Sequence, residues 1–209
     1  MAKTWYQKFL YPCRSGPYWS GIGICLLLAL SLGVLLLAPA LMPEGYTWRF
    51  HTTSEAAAQG LQGAWLMRSG FLLFGFSVLW LTQACRPRWS CTVTWMHMAF
   101  GVLMISTAAF SHQPFIDGVP FDAIEDLLHS ITATLMGFAF SFGVLARFLL
   151  RSKKRSAAGL LDLVAVVAAM VFPLLMAAQP TLAGLFQRLM FFTAYAWYGK
   201  EAYSLHISK

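Results

Sequence analysis

The chain has 209 residues, of which 58% are hydrophobic and 11% are charged, and its mean hydropathy is +0.62. A soluble domain is about half apolar and about a quarter charged, so this composition excludes a soluble enzyme, a nucleic-acid-binding domain and a disordered tail. The remaining class is a multi-pass membrane protein, and the net charge of +7 has to be mapped onto the two sides of the membrane.

Six segments are apolar over the length of about 20 residues that a helix needs to cross the hydrocarbon layer. The sequence therefore predicts an all-α fold, one integral membrane bundle of six transmembrane helices over residues 1–209. We place these helices at about 19–42, 64–85, 91–110, 122–150, 157–178 and 182–203. The apolar run of the first segment is longer than that of a signal peptide, so we interpret it as a retained helix.

The charges predict the orientation. With the N-terminus inside, 12 of the 15 basic residues fall on the inner side: Lys3, Lys8, Arg14, Arg86, Arg88, Arg147, Arg151, Lys153, Lys154, Arg155, Lys200 and Lys209. Six of the eight acidic residues fall on the outer side: Glu44, Glu55, Asp117, Asp122, Glu125 and Asp126. Cytoplasmic loops carry such an excess of Lys and Arg, so we expect both termini in the cytoplasm and a location in the inner (plasma) membrane. The basic run 151–155 then predicts contact with anionic lipid and no nucleic-acid partner.

Ionisable side chains inside spanning segments are costly and mark candidate functional sites. Arg68, His129 and Arg188 belong to three different predicted helices and lie one to two turns below the outer surface. Other polar residues are expected near that depth or in the first outer loop: His51, Ser54, Glu55 and His112. Together they predict an outward-facing polar pocket.

His97 and Asp162 lie nearer the inner ends of their predicted helices. A hydrogen bond between them is one interpretation. A satisfied core histidine beside a snorkelling or capping aspartate is the interpretation that we favour.

His129 is the candidate for acid–base chemistry. Glu125 and Asp126 precede it by four and three residues and therefore share its helix face, where a carboxylate can orient a histidine. Asp122 and Glu125 also have the spacing of a capping box. Ser54 lacks the surroundings of a nucleophile, so we interpret it as the N-cap of a short helix over residues 55–59.

Three outer histidines, His51, His112 and His129, are candidate ligands for zinc. No paired-histidine spacing supports a metal, and only His112 and His129 share a depth suited to a haem. We therefore expect no cofactor, with zinc as the alternative. The four cysteines show no ligand pattern.

Three segments carry a family resemblance. They are His51–Glu55 with Gly63–Phe71 and Phe74-Gly75, then Leu127–Ser130 with Gly137, then Gly184–Arg188 with Trp197. In this order they resemble a family of bacterial and archaeal membrane proteins catalogued as domain of unknown function 998. The resemblance implies six membrane helices and no activity. It groups Ser54, Glu55, His129, Gln187 and Arg188 as one unit, and Arg68 departs from it because a small polar residue is expected there.

These observations favour a membrane protein that binds a lipid or other amphiphile through Ser54, Glu55, Arg68, His112, Gln187 and Arg188. The alternative is a membrane-embedded hydrolase or transferase, with or without zinc, in which His129 is the base, Glu125 or Asp126 orients it, and Arg188 stabilises negative charge. A transporter or an accessory subunit of a larger complex is the third interpretation. A homo-oligomer is compatible with each of them.

Overall fold

The computed structural model describes residues 19–207, and this range contains α-helices and short 3-10 turns with no strand. Four of the basic residues assigned to the inner side lie outside this range, namely Lys3, Lys8, Arg14 and Lys209, as does one of the four cysteines, Cys13. Seven α-helices are described: α1 Trp19–Leu37, α2 Thr53–Ala56, α3 Ala64–Cys85, α4 Cys91–Ala109, α5 Ala123–Leu150, α6 Ala157–Ala178 and α7 Ala183–Ile207. One 3-10 turn, Ala38–Leu41, follows α1, and another, Pro180–Leu182, precedes α7.

Five of the described segments are long and apolar enough to cross a membrane: Ser20–Leu41, Ala64–Cys85, Cys91–Ala109, Ala123–Leu150 and Ala157–Ala178. The chain is therefore a multi-pass membrane protein. Helix α7 has 25 residues and ends four residues beyond the predicted limit, but it carries the polar residues Gln187, Arg188, Lys200 and Glu201. Arg188 and Glu201 are buried in the bundle. The six-span topology and the cytoplasmic termini stay predictions.

The six long helices form a closed ring. Each helix packs on the next in the order α1, α3, α4, α5, α6, α7, and α7 returns to α1, while α3 also contacts α7 across the middle. The loops 42–63 and 110–122 lie at one end of the ring, which we call the loop end. The tight connections 86–90 and 151–156 lie at the other end, which we call the turn end.

Aromatic side chains fill the centre of the ring. Phe74 of α3 stacks on Tyr195 of α7 with ring centroids 4.1 Å apart, and Phe100 of α4 lies 5.2 Å from Tyr198. All four are buried. Large rigid rings of this kind contribute much of the packing energy of a core, so α3, α4 and α7 are the central helices.

Small residues allow the backbones of neighbouring helices to approach closely, as is common in membranes. A Cβ atom on Gly75 would lie 2.9 Å from the carbonyl oxygen of Gly101, so α3 and α4 require glycine there. Ser31 of α1 donates to the carbonyl oxygen of Gly70 (2.7 Å) and shares a 2.7 Å hydrogen bond with the hydroxyl of Tyr195. This serine connects α1 to both α3 and α7.

Candidate functional site

Arg188 holds the first long loop against α7. Its side chain is buried, and its Nη1 donates to the carbonyl oxygens of Trp48 (2.6 Å), His51 (2.9 Å) and Gly184 (3.0 Å). Across the described part of the chain, no ion pair joins Arg188 to Glu55 or to another carboxylate. The guanidinium therefore binds loop backbone, which is a role that its position in the sequence does not reveal.

Tyr46 and His51 complete this attachment. The hydroxyl of Tyr46 accepts from Nη2 of Arg188, and burial raises the pKa of Tyr46 although Arg188 opposes the shift. His51 accepts from the backbone N–H of Thr47 through Nδ1 (3.0 Å), and its ring lies 5.2 Å from Tyr46 and 4.4 Å from Phe115. His51 thus packs between the two long loops.

The start of α7 is in direct contact with the same loop. The N–H of Gly184 donates to the carbonyl oxygen of Phe50 (3.1 Å). A Cβ atom on Gly184 would lie 2.2 Å from the carbonyl oxygen of His51 and 2.5 Å from that of Trp48. Real Cβ atoms do not approach backbone so closely, so this contact requires glycine.

Gln187 and Glu55 determine where the short helix α2 begins. The side chain of Thr52 accepts from the N–H of Glu55 (3.1 Å), and the carboxylate of Glu55 accepts from the N–H of Thr52 (2.6 Å), which forms a complete capping box. Gln187 accepts from the N–H (2.5 Å) and the hydroxyl (2.7 Å) of Thr53. The prediction of Ser54 as the N-cap was wrong, since the helix starts two residues earlier than the spacing suggested.

Arg68 caps the other end of α2. Its Nε donates to the carbonyl oxygen of Ala57 (2.8 Å) and its Nη2 donates to that of Ala58 (3.1 Å). These carbonyls end the short helix and have no partner within it. Arg68 and Arg188 are therefore both used on loop backbone, and neither pairs with a carboxylate among the residues described.

The acidic residues at the start of α5 hold the second long loop. Asp122 caps the helix by accepting from the N–H groups of Ile124 and Glu125, as predicted. The carboxylate of Glu125 accepts from the N–H of Ser111 (2.8 Å) rather than from Asp122, and Asp126 accepts from the N–H of Gln113 (2.8 Å). Neither carboxylate is hydrogen-bonded to His129.

His129 is oriented by backbone instead. It is 1% exposed, and its Nδ1 lies 2.8 Å from the carbonyl oxygen of Phe110 and 3.2 Å from that of Thr107. Since carbonyl oxygens only accept, Nδ1 carries the proton and Nε2 is left with a lone pair. Both Nε2 of His129 and the hydroxyl of Ser111 are buried and have no hydrogen-bond partner within residues 19–207.

The three candidate zinc ligands do not converge. The rings of His112 and His129 lie 5.4 Å apart and perpendicular, while His51 lies among Tyr46 and Phe115. His112 has Asp126 at 3.8 Å. Over residues 19–207, no group of three or more His, Cys, Asp or Glu residues is arranged to hold a metal ion.

An open apolar cleft lies in the bundle between α5 and α7. It holds about 320 Å³ of empty space, part of it open to the surroundings, and no polar surface lines it. Its walls come from four helices: Phe100, Met136, Gly137, Phe140, Ala169, Met190, Phe191 and Ala194. Because these residues lie about seven to seventeen positions from the loop ends of their helices, the cleft is near mid-depth.

A buried cluster of charges joins α5, α6 and α7 at the turn end. Asp162 accepts from Nε of Arg151 (2.6 Å) and from the indole N–H of Trp197 (2.9 Å), and Nζ of Lys200 lies 3.5 Å away. Lys200 also pairs with its neighbour Glu201. We call this the turn-end charge cluster, and it includes Arg147, whose Nη2 lies 3.6 Å from Glu201.

Sequence reasoning identified only Asp162 of this cluster. The sequence did contain a signal for Glu201. Six of the eight acidic residues were assigned to the outer side, and the remaining two are Asp162 and Glu201. Both carboxylates pair with Arg151 and Lys200, and Glu201 also pairs with Arg147. The snorkelling or capping role expected for Asp162 is wrong, since its side chain is fully buried and paired.

His97 lies beside this cluster and forms no hydrogen bond with Asp162. Its Nδ1 is 2.9 Å from the hydroxyl of Tyr198, and its ring stacks on Trp197 at 4.6 Å. Trp197 in turn donates to Asp162. The indole therefore separates the two residues, and His97 is a core histidine.

Comparison with known proteins identifies a family and nothing more specific. No curated protein matches the chain, and no solved structure does. A family model described as a protein of unknown function, DUF998, matches residues 23–199. That range contains all three segments that carry the resemblance noted from the sequence. The chain therefore belongs to the DUF998 family of proteins of unknown function.

Proposed function

We propose that this membrane protein binds an apolar chain of a membrane lipid or similar amphiphile in the cleft between α5 and α7. The observation that carries the proposal is the cleft itself, which is open to the surroundings and has a wholly apolar wall. Ligand sites occur between the helices of bundles. An apolar space does not hold water well, so a hydrocarbon chain is the occupant that fits.

Gly137 supports this proposal. In the described part of the chain, no atom lies within 4 Å of the position where its Cβ would be, so close packing of the described helices does not require this glycine. Its neighbour Phe138 and the adjacent Met170 of α6 are 54% and 60% exposed. In a membrane these apolar residues face lipid, which gives a hydrocarbon chain a lateral route into the cleft.

The polar residues at the loop end support a different part of the proposal. Glu55, Arg68, Gln187 and Arg188 bind the backbone of the first loop or of α2. They hold the loop as a fixed cover over the bundle, so we propose that they contribute by positioning helices around the cleft. Direct contact of these groups with a head group is not needed for the binding of the chain.

Photo-crosslinking of a lipid, compared between the unmodified chain and a variant whose cleft is filled by a larger side chain, tests the proposal. A phospholipid with a diazirine in mid-chain is reconstituted with the protein and photolysed, and cross-linked peptides are identified by mass spectrometry. We expect cross-links at residues 136–140 and 190–194, and Gly137→Phe should remove most of them. Gly33→Phe is the matched control, because Gly33 is also a helical glycine with no atom within 4 Å of its Cβ position. Equal cross-linking of the 136–140 and 190–194 peptides in Gly137→Phe and the unmodified chain would refute chain binding in the cleft.

A second candidate function rests on His129 and Ser111. Among the described residues, the buried Nε2 of His129 lacks a donor and the buried hydroxyl of Ser111 lacks a partner. Nδ1 of His129 lies 2.8 Å from the carbonyl oxygen of Phe110, the residue that precedes Ser111. A serine activated by a histidine is the basis of acyl-transfer chemistry. A fluorophosphonate probe should then label Ser111, and His129→Gln should abolish labelling. Absence of labelled Ser111 in the unmodified protein argues for a structural role.

Location and assembly complete the proposal. We place the protein in the inner (plasma) membrane with six spans and both termini cytoplasmic, because the basic residues favour that side. Cysteine-accessibility labelling of Cys91, an exposed residue at the turn end, tests the orientation. Labelling of Cys91 from the outside of intact cells would mean that the orientation is the reverse of the one proposed. Co-purification of a partner would detect an accessory subunit, and tracer flux into proteoliposomes would detect a transporter. The mass of the intact particle would detect a homo-oligomer.

A further inference from the structure

We propose that the turn-end charge cluster binds a phosphate-bearing anion, the head group of an anionic phospholipid. This site lies apart from the apolar cleft and does not depend on it. On each of α5, α6 and α7, a residue of the cleft wall lies seven positions from a residue of the cluster. The pairs are Phe140 and Arg147 on α5, Ala169 and Asp162 on α6, and Ala194 and Glu201 on α7. Seven residues of helix correspond to roughly 10 Å.

The charges of the cluster do not balance. Three cations, Arg147, Arg151 and Lys200, share two carboxylates, Asp162 and Glu201. The difference is one positive charge. A partly buried cation is costly without a counter-ion, so the arrangement favours a third anion.

Two guanidinium nitrogens in the cluster also lack an acceptor. Nε of Arg147 and Nη2 of Arg151 are buried and have no hydrogen-bond partner among the described residues. The nearest carboxylate oxygen to Nη2 of Arg151 lies on Glu201, 3.5 Å away, which is an ion-pair contact without hydrogen-bond geometry. Phosphate oxygens are the acceptors that paired guanidinium groups bind best.

The cations lie on the accessible side of the cluster. The side chains of Arg147, Arg151 and Lys200 are 22%, 15% and 24% exposed, whereas those of Asp162 and Glu201 are 0% and 5% exposed. The carboxylates thus lie beneath the cations. An approaching anion meets the exposed parts of the three cationic side chains first and is not repelled by an exposed carboxylate of this cluster.

The surroundings favour a lipid as the source of the phosphate. Leu149 and Leu150 directly precede Arg151, and Leu160 lies two residues before Asp162; they are 57%, 63% and 55% exposed, so exposed apolar residues flank the cluster in sequence. The connection between α5 and α6 adds the exposed basic residues 153–155. A basic rim beside apolar side chains is the arrangement that binds anionic head groups at a membrane surface.

The test is a lipid titration of the full chain in neutral detergent, followed by native mass spectrometry. Phosphatidylglycerol and phosphatidylcholine with identical acyl chains are compared, and inorganic phosphate is added as a competitor. We expect one phosphatidylglycerol to be retained in preference to phosphatidylcholine. Arg147→Gln should weaken this binding by about tenfold, as expected for loss of one charge-assisted hydrogen bond. Arg147 is the better residue to change, since Arg151 holds the buried Asp162.

Arg49→Gln is the matched control, because Arg49 is an exposed arginine at the loop end and the net charge falls by the same amount. Its affinity for phosphatidylglycerol should equal that of the unmodified chain. Arg147→Lys keeps the charge without the planar donor group and should lie between the two. If Arg147→Gln does not fold, the comparison of phosphatidylglycerol with phosphatidylcholine on the unmodified chain still tests the proposal.

Three results would overturn the proposal. Equal retention of both lipids removes the anion requirement, and an unchanged affinity in Arg147→Gln places the bound lipid elsewhere. Displacement of phosphatidylglycerol by millimolar inorganic phosphate assigns the site to free phosphate rather than to a lipid. Gly137→Phe should leave the head-group preference intact, so failure of chain binding in the cleft and failure of this site are distinguishable.

Discussion

Replacing Arg188 by alanine should release the first long loop from α7. The change removes the donors that bind Trp48, His51 and Gly184 through their carbonyl oxygens. Two nitrogens of one buried guanidinium make these bonds and the bond to Tyr46. A ligand-binding role alone would leave the loop in place, so this variant separates a structural role from a direct one.

The magnitude follows from the donors that are lost. A hydrogen bond to a charged group contributes about 1.5–3 kcal/mol, which gives about 3–6 kcal/mol for two donor nitrogens. Water can reach vacated carbonyls at the end of the bundle, and this lowers the loss to about 3 kcal/mol. A change of that size corresponds to roughly a hundredfold increase in the open population of the loop.

Trypsin cleavage after Arg49 measures this opening directly, because Arg49 is exposed and its carbonyl accepts from the N–H of Leu185 at the start of α7. Cleavage at a locally opened segment tracks the open population when closing is fast. Arg155, exposed at the turn end, is the reference site in the same digest. A ratio of the two cleavage rates within about twofold of the unmodified protein would refute the reasoning.

Three further substitutions have defined outcomes. Gly184→Ala should destabilise the fold, because its Cβ would lie 2.2 Å from a loop carbonyl oxygen. Gly33→Ala should be neutral or stabilising in thermal unfolding, and equal melting temperatures of the two variants would contradict this. Asp162→Asn should cost about 3–5 kcal/mol in detergent unfolding, since Arg151 loses its buried partner, and an unchanged midpoint would argue against it. Burial raises the pKa of Tyr46. The contribution of its hydroxyl to the free energy of unfolding is therefore present below pH 10 and is lost as the pH rises through the folded-state pKa. Tyr46→Phe should flatten the alkaline decline in stability, and identical pH profiles would rule this out.

The helices were predictable because an apolar run of about 20 residues matches the thickness of the hydrocarbon layer and is longer than the apolar stretch of a buried core helix. His129 and Arg188 were identified as candidates for a similar reason, since an ionisable group within a membrane helix is costly and marks a functional site, whereas the snorkelling or capping role favoured for Asp162 was wrong. Depth along a helix can be read from sequence, and these residues were placed by depth.

The partners of these residues could not be read in the same way. Sequence spacing does not show which face of one helix meets which face of another, so it left open whether Glu55 contacts Arg188. The arginines instead bind carbonyl oxygens, which every residue carries and which leave no pattern in a sequence. Glu201 was missed because it lies near the end of α7, where a charge is ordinary.

The contact between Gly184 and the carbonyl oxygens of Trp48 and His51 limits where foreign sequence can be inserted. Surface loops usually tolerate insertions, but residues 47–52 are bonded to a helix that follows more than 130 residues later. A topology reporter or an epitope placed there would separate the loop from α7 and disturb the orientation that it is meant to record. The tip at Gly118 is the suitable position, since its backbone is in the left-handed region and no atom of the described residues lies within 4 Å of its Cβ position.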